Sequence, residues 1–208
     1  MYAITTFGDS ITFGSGDNIN RGWCDRLKKY FESKGEHHYL YNLGISGDTS
    51  SDILERFDAE SKARVKFKRE QDRNIILFSI GTNDSKLKGK EKTPKVEFDV
   101  FSKNIQTLIN KAKTYTKEVA FIGLIPVDEK LAMNYENTVL TNERISLYNN
   151  KIEEICKIND VPFFNIYPEF LKLSYEKLLF DGLHPNSAGY EKMYELIKTF
   201  LIQKQIID

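Results

Sequence analysis

Two periods of apolar and polar positions run along this chain, and together they lay out its elements. Tyr2 to Phe7 is a short run of strand-forming residues closed by Gly8. From Arg21 to Ser33 the spacing changes. Trp23, Leu27, Tyr30 and Phe31 recur at i, i+4, i+7 and i+8, which predicts a helix with its stop near Gly35. Tyr39 to Leu43 predicts a second strand, and a helix from about Ser51 carries Ile53, Leu54 and Phe57. The charge-rich segment Lys62 to Arg73, with Val65 and Phe67 on one side, predicts a solvated helix. Asn74 to Ile80 is almost continuously apolar, the pattern of a strand buried on both faces.

Beyond it, a polar, lysine-rich loop runs to Pro94. Phe98, Phe101, Ile105, Leu108 and Ile109 then form one stripe of a helix spanning about Glu97 to Tyr115. Val119 to Leu124 predicts a fourth strand, and Val127 to Val139 an irregular stretch. Ile145, Tyr148, Ile152, Ile155 and Cys156 mark a long helix, and Pro162 to Ile166 a fifth strand. A short apolar helix is expected around Phe170 and Leu171, and Tyr190, Met193, Tyr194, Ile197 and Leu201 define a last one. Strands alternating with helices predict the α/β class, a five-stranded parallel sheet with helices on both faces. No linker, repeat or low-complexity segment interrupts the pattern, so 1–208 reads as a single domain.

Composition narrows the function classes. The chain has 208 residues, enough for one sizeable core, with 40% hydrophobic and 29% charged residues. Thirty basic and thirty acidic residues cancel, leaving no global field to hold nucleic acid or an anionic membrane. No apolar run approaches a membrane span and no leader pattern opens the chain, so a cytoplasmic location without stable membrane anchoring is expected. Cys24 and Cys156 lie far apart without a CxxC pattern and read as free buried thiols.

The candidate chemistry sits where the predicted strands end, because ligands of open parallel sheets bind at the carboxyl edge. Strand one ends in Gly8-Asp9-Ser10, strand two in Asn42 to Gly47, strand three in Gly81-Thr82-Asn83-Asp84. The loop after strand five leads to Asp181-Gly182-Leu183-His184. A serine hydroxyl needs a base to take its proton, and the base needs a carboxylate to orient it. Ser10, His184 and Asp181 can fill these roles. The chain has three histidines, and the other two, His37 and His38, sit side by side before an apolar run. The backbone amides of Ser10 and Gly47 and the side-chain amide of Asn83 are candidate oxyanion donors. Glycine at 47 would keep a side chain away from the reacting carbonyl. Asp9, Asp48 and Asp84 read foremost as loop-bracing acceptors. Asp9, Ile11, Trp23, Tyr167 and Leu183 are candidates for substrate contact, with Trp23 read first as core.

These blocks, Gly8-Asp9-Ser10-Ile11-Thr12, Gly47, Gly81-Thr82-Asn83-Asp84 and Asp181-Gly182-Leu183-His184-Pro185-Asn186, resemble the four blocks of the SGNH hydrolases, the GDSL lipase/esterase family. They fall in the family's order and span nearly the whole chain. Ile11 stands where the family name has leucine. The resemblance implies a flavodoxin-like three-layer α/β/α sandwich and metal- and cofactor-independent ester hydrolysis. Ser10 would be nucleophile, His184 base, Asp181 orienting acid, and Ser10, Gly47 and Asn83 the oxyanion hole. The expected substrate is a small acyl ester or an acetylated carbohydrate. A lysophospholipase or thioesterase acting on longer chains is the alternative, and a non-catalytic binding member of the fold a second. Oligomeric state is open. The rivals fit less well. Gly14-Ser15-Gly16 lacks the third glycine of a dinucleotide fingerprint, no Gly-Lys-Ser/Thr follows a strand, and one usable histidine is too few for a metallophosphoesterase.

Overall fold

A computed structural model describes residues 1–35, 38–65, 72–132 and 138–208. The chain runs β1 (Tyr2–Gly8), α1 (Ser10–Phe13), α2 (Gly22–Ser33), β2 (Tyr39–Gly44), α3 (Ser50–Arg64) and β3 (Arg73–Ser79). Two short strands follow, β4 (Leu87–Lys88) and β5 (Thr93–Pro94), then α4 (Phe98–Tyr115), β6 (Glu118–Ile122), α5 (Glu129–Ala132) and β7 (Thr138–Val139). The last part holds α6 (Asn142–Ile158), β8 (Phe163–Phe164), α7 (Tyr167–Leu171) and α8 (Ser187–Gln203). Five strands pair in the order β2-β1-β3-β6-β8, all parallel. That is the order of the flavodoxin-like doubly wound sheet.

The two faces of β3 explain the unbroken apolar run. Ile76 and Phe78 point to one side, packing with Phe7, Phe57 and Phe121 under α3, α4 and α6. Ile75 and Leu77 point to the other, joining Ile4, Trp23, Leu27, Met193 and Ile197 under α2 and α8. A period of two, buried on both faces, can only be apolar throughout. The register then sets where the strands stop. Gly8 lies beside both Gly44 and Ser79, so the ends of β1, β2 and β3 are level at one edge.

Several expectations need correction. The stretch after Gly8 is not a plain loop. Asp9 caps a one-turn helix, α1, by accepting the Ile11 N–H at 2.9 Å. The solvated helix over Lys62–Arg73 does not run through: α3 ends at Arg64, Arg73 opens β3, and 66–71 lie outside the described residues. The basic residues at its two ends are committed to ion pairs, Arg64 with Glu60 and Arg73 with Glu118. The fifth strand is only Phe163–Phe164, because beyond it the Asn165 side chain bonds Asn149 and Glu153 of α6 and the chain turns into α7. The lysine-rich loop and the irregular stretch after Val127 both contribute strands. β4 pairs antiparallel with β5 and with β7, making a three-stranded sheet of its own. Cys24 and Cys156 are buried free thiols.

Candidate active site

The carboxyl edge of the sheet carries a cleft of about 480 Å³, and Ser10, Gly47, Asn83, Asp181 and His184 all line it. That volume lies within the usual range for small-molecule sites. Ser10 is the first residue of α1, placed directly past the end of β1. His184 approaches from the opposite end of the chain. Its loop is closed by Phe180 N–H donating to the His184 carbonyl at 2.7 Å and Asn186 N–H to the Leu178 carbonyl at 2.8 Å. Gly182, at φ +86°, is the turn's pivot, and a Cβ there would stand 2.5 Å from Leu131 Cβ. The histidine loop is also tied to the serine loop. Tyr190 on α8 donates to the Ser15 carbonyl at 2.8 Å, and Arg26 on α2 bonds Glu191 and the Ser187 carbonyl.

One hydrogen-bonded row crosses the cleft floor. His184 Nε2 lies 2.8 Å from Ser10 Oγ, and Nδ1 lies 2.7 Å from Asp181 Oδ2. Asp181 Oδ1 meanwhile accepts the backbone N–H groups of Leu183 at 3.0 Å and His184 at 2.8 Å. Burial opposes ionisation of Asp181, but these bonds with the His184 ring and amide outweigh it and hold the carboxyl at about 2. An ionised Oδ2 can only accept. Nδ1 therefore carries the proton it donates, and Nε2 presents a lone pair to the serine O–H. This row can move the Ser10 proton to His184.

The loop 45–48 is held from three sides. Asn83 donates one amide hydrogen to the Asp48 carbonyl at 3.0 Å and lines the cleft. Lys95 Nζ donates to the Gly47 carbonyl at 2.8 Å, and Arg56 grips the Asp48 carboxylate at 2.8 Å. Asp84 accepts the Ser50 N–H at 3.0 Å at the start of α3. The three aspartates of the motifs thus brace loops and a helix start. Glycine at 47 also has a backbone reason: its φ of +88° is one that L side chains rarely adopt.

Asp9 and Asp84 are the buried carboxyls of this edge, at 2% and 0% exposure. Burial pushes both from the ordinary 3.8 to about 6, outweighing the bonds from Ile11 and Ser50. The folded state then holds protons that the unfolded chain releases between pH ~4 and 6, so stability falls as pH rises through that window. The gap is worth about 3 kcal/mol per carboxyl at most. Asp9→Asn keeps an oxygen for Ile11 and removes the charge. It should raise the urea midpoint at pH 7 and flatten its decline between pH 4.5 and 7. A midpoint that follows the wild-type profile would contradict this.

The five substrate-contact candidates do not gather at the cleft. Trp23, Ile11 and Leu183 are core residues, at 1%, 5% and 3% exposure. Each is large and apolar on a face that packs against the sheet, so burial takes them. Asp9 is spent on capping α1. Tyr167 is partly buried against the α6 side and its hydroxyl reaches the Asn142 carbonyl at 3.4 Å. The cleft walls come instead from Ser15, Gly16 and Ser46, from Phe180 at the rim, and from Lys86, Lys88, Lys95 and Thr138. Phe180 is 66% exposed, an unusual place for phenylalanine, and it directly precedes Asp181. Of the other two histidines, His37 lies outside the described residues. His38 stands just before β2, at the far end of that strand from the cleft. Among the described residues no group of three or more His, Cys, Asp or Glu side chains is placed to hold a metal ion.

Residues 6–192 match the GDSL-like lipase/acylhydrolase family. The chain belongs to that family. A lipase/acylhydrolase from Enterococcus faecalis has the same fold, with a TM-score of 0.77 at 24% identity over 98% of this chain and 97% of that one. The spore germination lipase LipC of Bacillus licheniformis is 25% identical over 94% of both chains. An acetylxylan esterase of Xylanibacter ruminicola is 23% identical over 93% of this chain. The GDSL-like chain spans only 42% of that esterase's length. Among the described residues no helix is long and apolar enough to cross a membrane.

Proposed function

We propose that this GDSL-family protein hydrolyses a short-chain acyl ester by a serine mechanism. The observation that carries the reading is the continuous row from Ser10 Oγ through His184 to an ionised Asp181, opening on a cleft. Ser10 attacks the ester carbonyl as Nε2 takes its proton. Charge develops on the carbonyl oxygen, and the donors proposed for it are the Ser10 and Gly47 amides and the side-chain amide of Asn83. One such donor contributes roughly 10²–10³ in rate. His184 then protonates the leaving alcohol, and water, activated by the same ring, releases the acid. Asp181 stabilises the imidazolium throughout.

The cleft walls favour a small acyl group on a polar alcohol over a long acyl chain. Ser15, Ser46, Thr138 and three lysines line it, and a fatty chain would leave those groups facing hydrocarbon. An acetylated carbohydrate fits this lining, the substrate class in the name of the Xylanibacter relative. The test is a chain-length series of p-nitrophenyl esters run beside acetylated xylo-oligosaccharides. Turnover should peak at acetyl and fall at least ~10-fold by octanoyl, a loss equal to about 1.4 kcal/mol. A profile that peaks at octanoyl would replace this reading with a long-chain acyl hydrolase. No hydrolysis of any ester would leave a binding protein on the same fold.

A further inference from the structure

We infer that Phe180 is the platform for the alcohol half of the ester, its ring laid against the apolar face of a sugar ring. The inference rests on the serine-esterase reading of the same site and assigns a side chain to its leaving group. Solitary exposed apolar residues are ordinary on protein surfaces, so the 66% exposure of Phe180 says little by itself. Its place says more. Among the described residues, Phe13, Ile19, Ile45, Leu131 and Ile158 are also large, apolar and exposed, and none of them lines the cleft. Phe180 does, as the one apolar side chain among the described lining residues.

The turn that carries Phe180 decides which half of the ester it meets. Phe180 N–H donates to the His184 carbonyl at 2.7 Å and Leu179 bridges Pro185, so Phe180 and His184 stand paired across one tight loop. A Cβ built on Gly16 would lie 3.2 Å from the Phe180 Cβ and 3.3 Å from the His184 Cβ, so both side chains set out beside the same stretch of the serine loop. His184 must hand its proton to the leaving oxygen, so the alcohol departs within hydrogen-bond reach of Nε2. Phe180, beside His184, is therefore on the alcohol side of Ser10, and the acyl group extends away from it. A pyranose matches that position. It presents C–H groups on its faces and hydroxyls around its rim, and the cleft presents one aromatic face among polar neighbours. The backbone of Phe180 is fixed while its ring is left in solvent, so that apolar surface is covered when a ligand arrives.

Acetates that differ only in the alcohol test the assignment. Methyl acetate supplies an alcohol too small to reach the rim, whereas cyclohexyl acetate and methyl 4-O-acetyl-β-xylopyranoside each supply a ring. Intrinsic reactivity cancels when each ester is compared between wild type and variant. Phe180→Ala should lower kcat/KM for both ring acetates about 10-fold more than for methyl acetate. Phe180→Trp should return the ring preference, and Phe180→Leu, apolar without a flat face, should return only part of it. The ratio of methyl butyrate to methyl acetate should be the same in wild type and Phe180→Ala, because the acyl group lies on the other side of Ser10. Equal losses on ring and methyl acetates would overturn the inference. So would a changed butyrate-to-acetate ratio with ring preference intact, which would put Phe180 against the acyl group. A loss confined to cyclohexyl acetate would overturn the sugar ring as occupant. In each case Ser10-dependent hydrolysis of methyl acetate would still stand, so the two readings fail separately. If no ester is turned over, the serine-esterase reading fails and this one with it.

Discussion

Ser10→Ala should lower turnover of p-nitrophenyl acetate by about 10⁶-fold, the scale of nucleophile loss in other serine hydrolases. The argument rests on what the substitution removes. Ser10 Oγ is the only atom of that side chain in reach of His184 Nε2, at 2.8 Å, and alanine leaves no hydrogen to transfer and no lone pair to attack with. The oxyanion donors survive, since the amide of residue 10 and the Gly47 and Asn83 groups are untouched. The fold should survive as well. α1 is started by Asp9 and ended at Gly14, neither of which uses the serine side chain. One hydrogen bond is lost, about 1 kcal/mol. Steady-state rates and a thermal melt on the same sample check both halves. A variant with wild-type turnover would remove Ser10 from the chemistry.

Asp181→Asn should cost roughly 10³–10⁴ in kcat, for a reason the local geometry makes specific. Oδ1 accepts two backbone N–H groups, from Leu183 and His184. An asparagine keeps its carbonyl oxygen on those donors and so must point its NH₂ at Nδ1. The imidazole then accepts at Nδ1 and carries its proton on Nε2, facing Ser10 as a donor. The row is intact and runs the wrong way. Aspartate at 181 avoids this at all ordinary pH, because its carboxyl titrates at about 2. Stability tells the same story from the other side. A folded value below the ordinary 3.8 adds stability above that pH and loses it as pH falls toward 2. Asp181→Asn should lack that acid-side loss. A kcat within 10-fold of wild type would show that the carboxylate does not set the tautomer.

What could be read from the residues alone follows the physics of each signal. β3 was legible because burial on both faces leaves no polar position to confuse the period. The meeting of Ser10 with His184, 174 residues away, was legible because parallel strands of one register end at one edge. β8 was overestimated, since a short β-forming run does not say where its pairing stops, and here it stops at Phe164. α1 escaped notice because four residues, Ser-Ile-Thr-Phe, carry no helical period, and a cap at Asp9 is their whole signature. The substrate-contact candidates went astray for a related reason. Trp23, Ile11 and Leu183 advertise apolar surface, and apolar surface beside a sheet is spent on the core. Lys88 and Thr138 gave no local sign because their position depends on β4 pairing with β7 across fifty residues of sequence.

That pairing has a consequence for how the cleft wall can change. Leu87 is registered against Pro94 on one side and Val139 on the other, so the insert after β3 and the insert after β6 are stitched into one sheet. Removing β4 or β7 from its segment would cost the other its cross-segment pairing. The wall is inherited as a unit of two distant segments, and a graft that means to transplant its specificity must carry both.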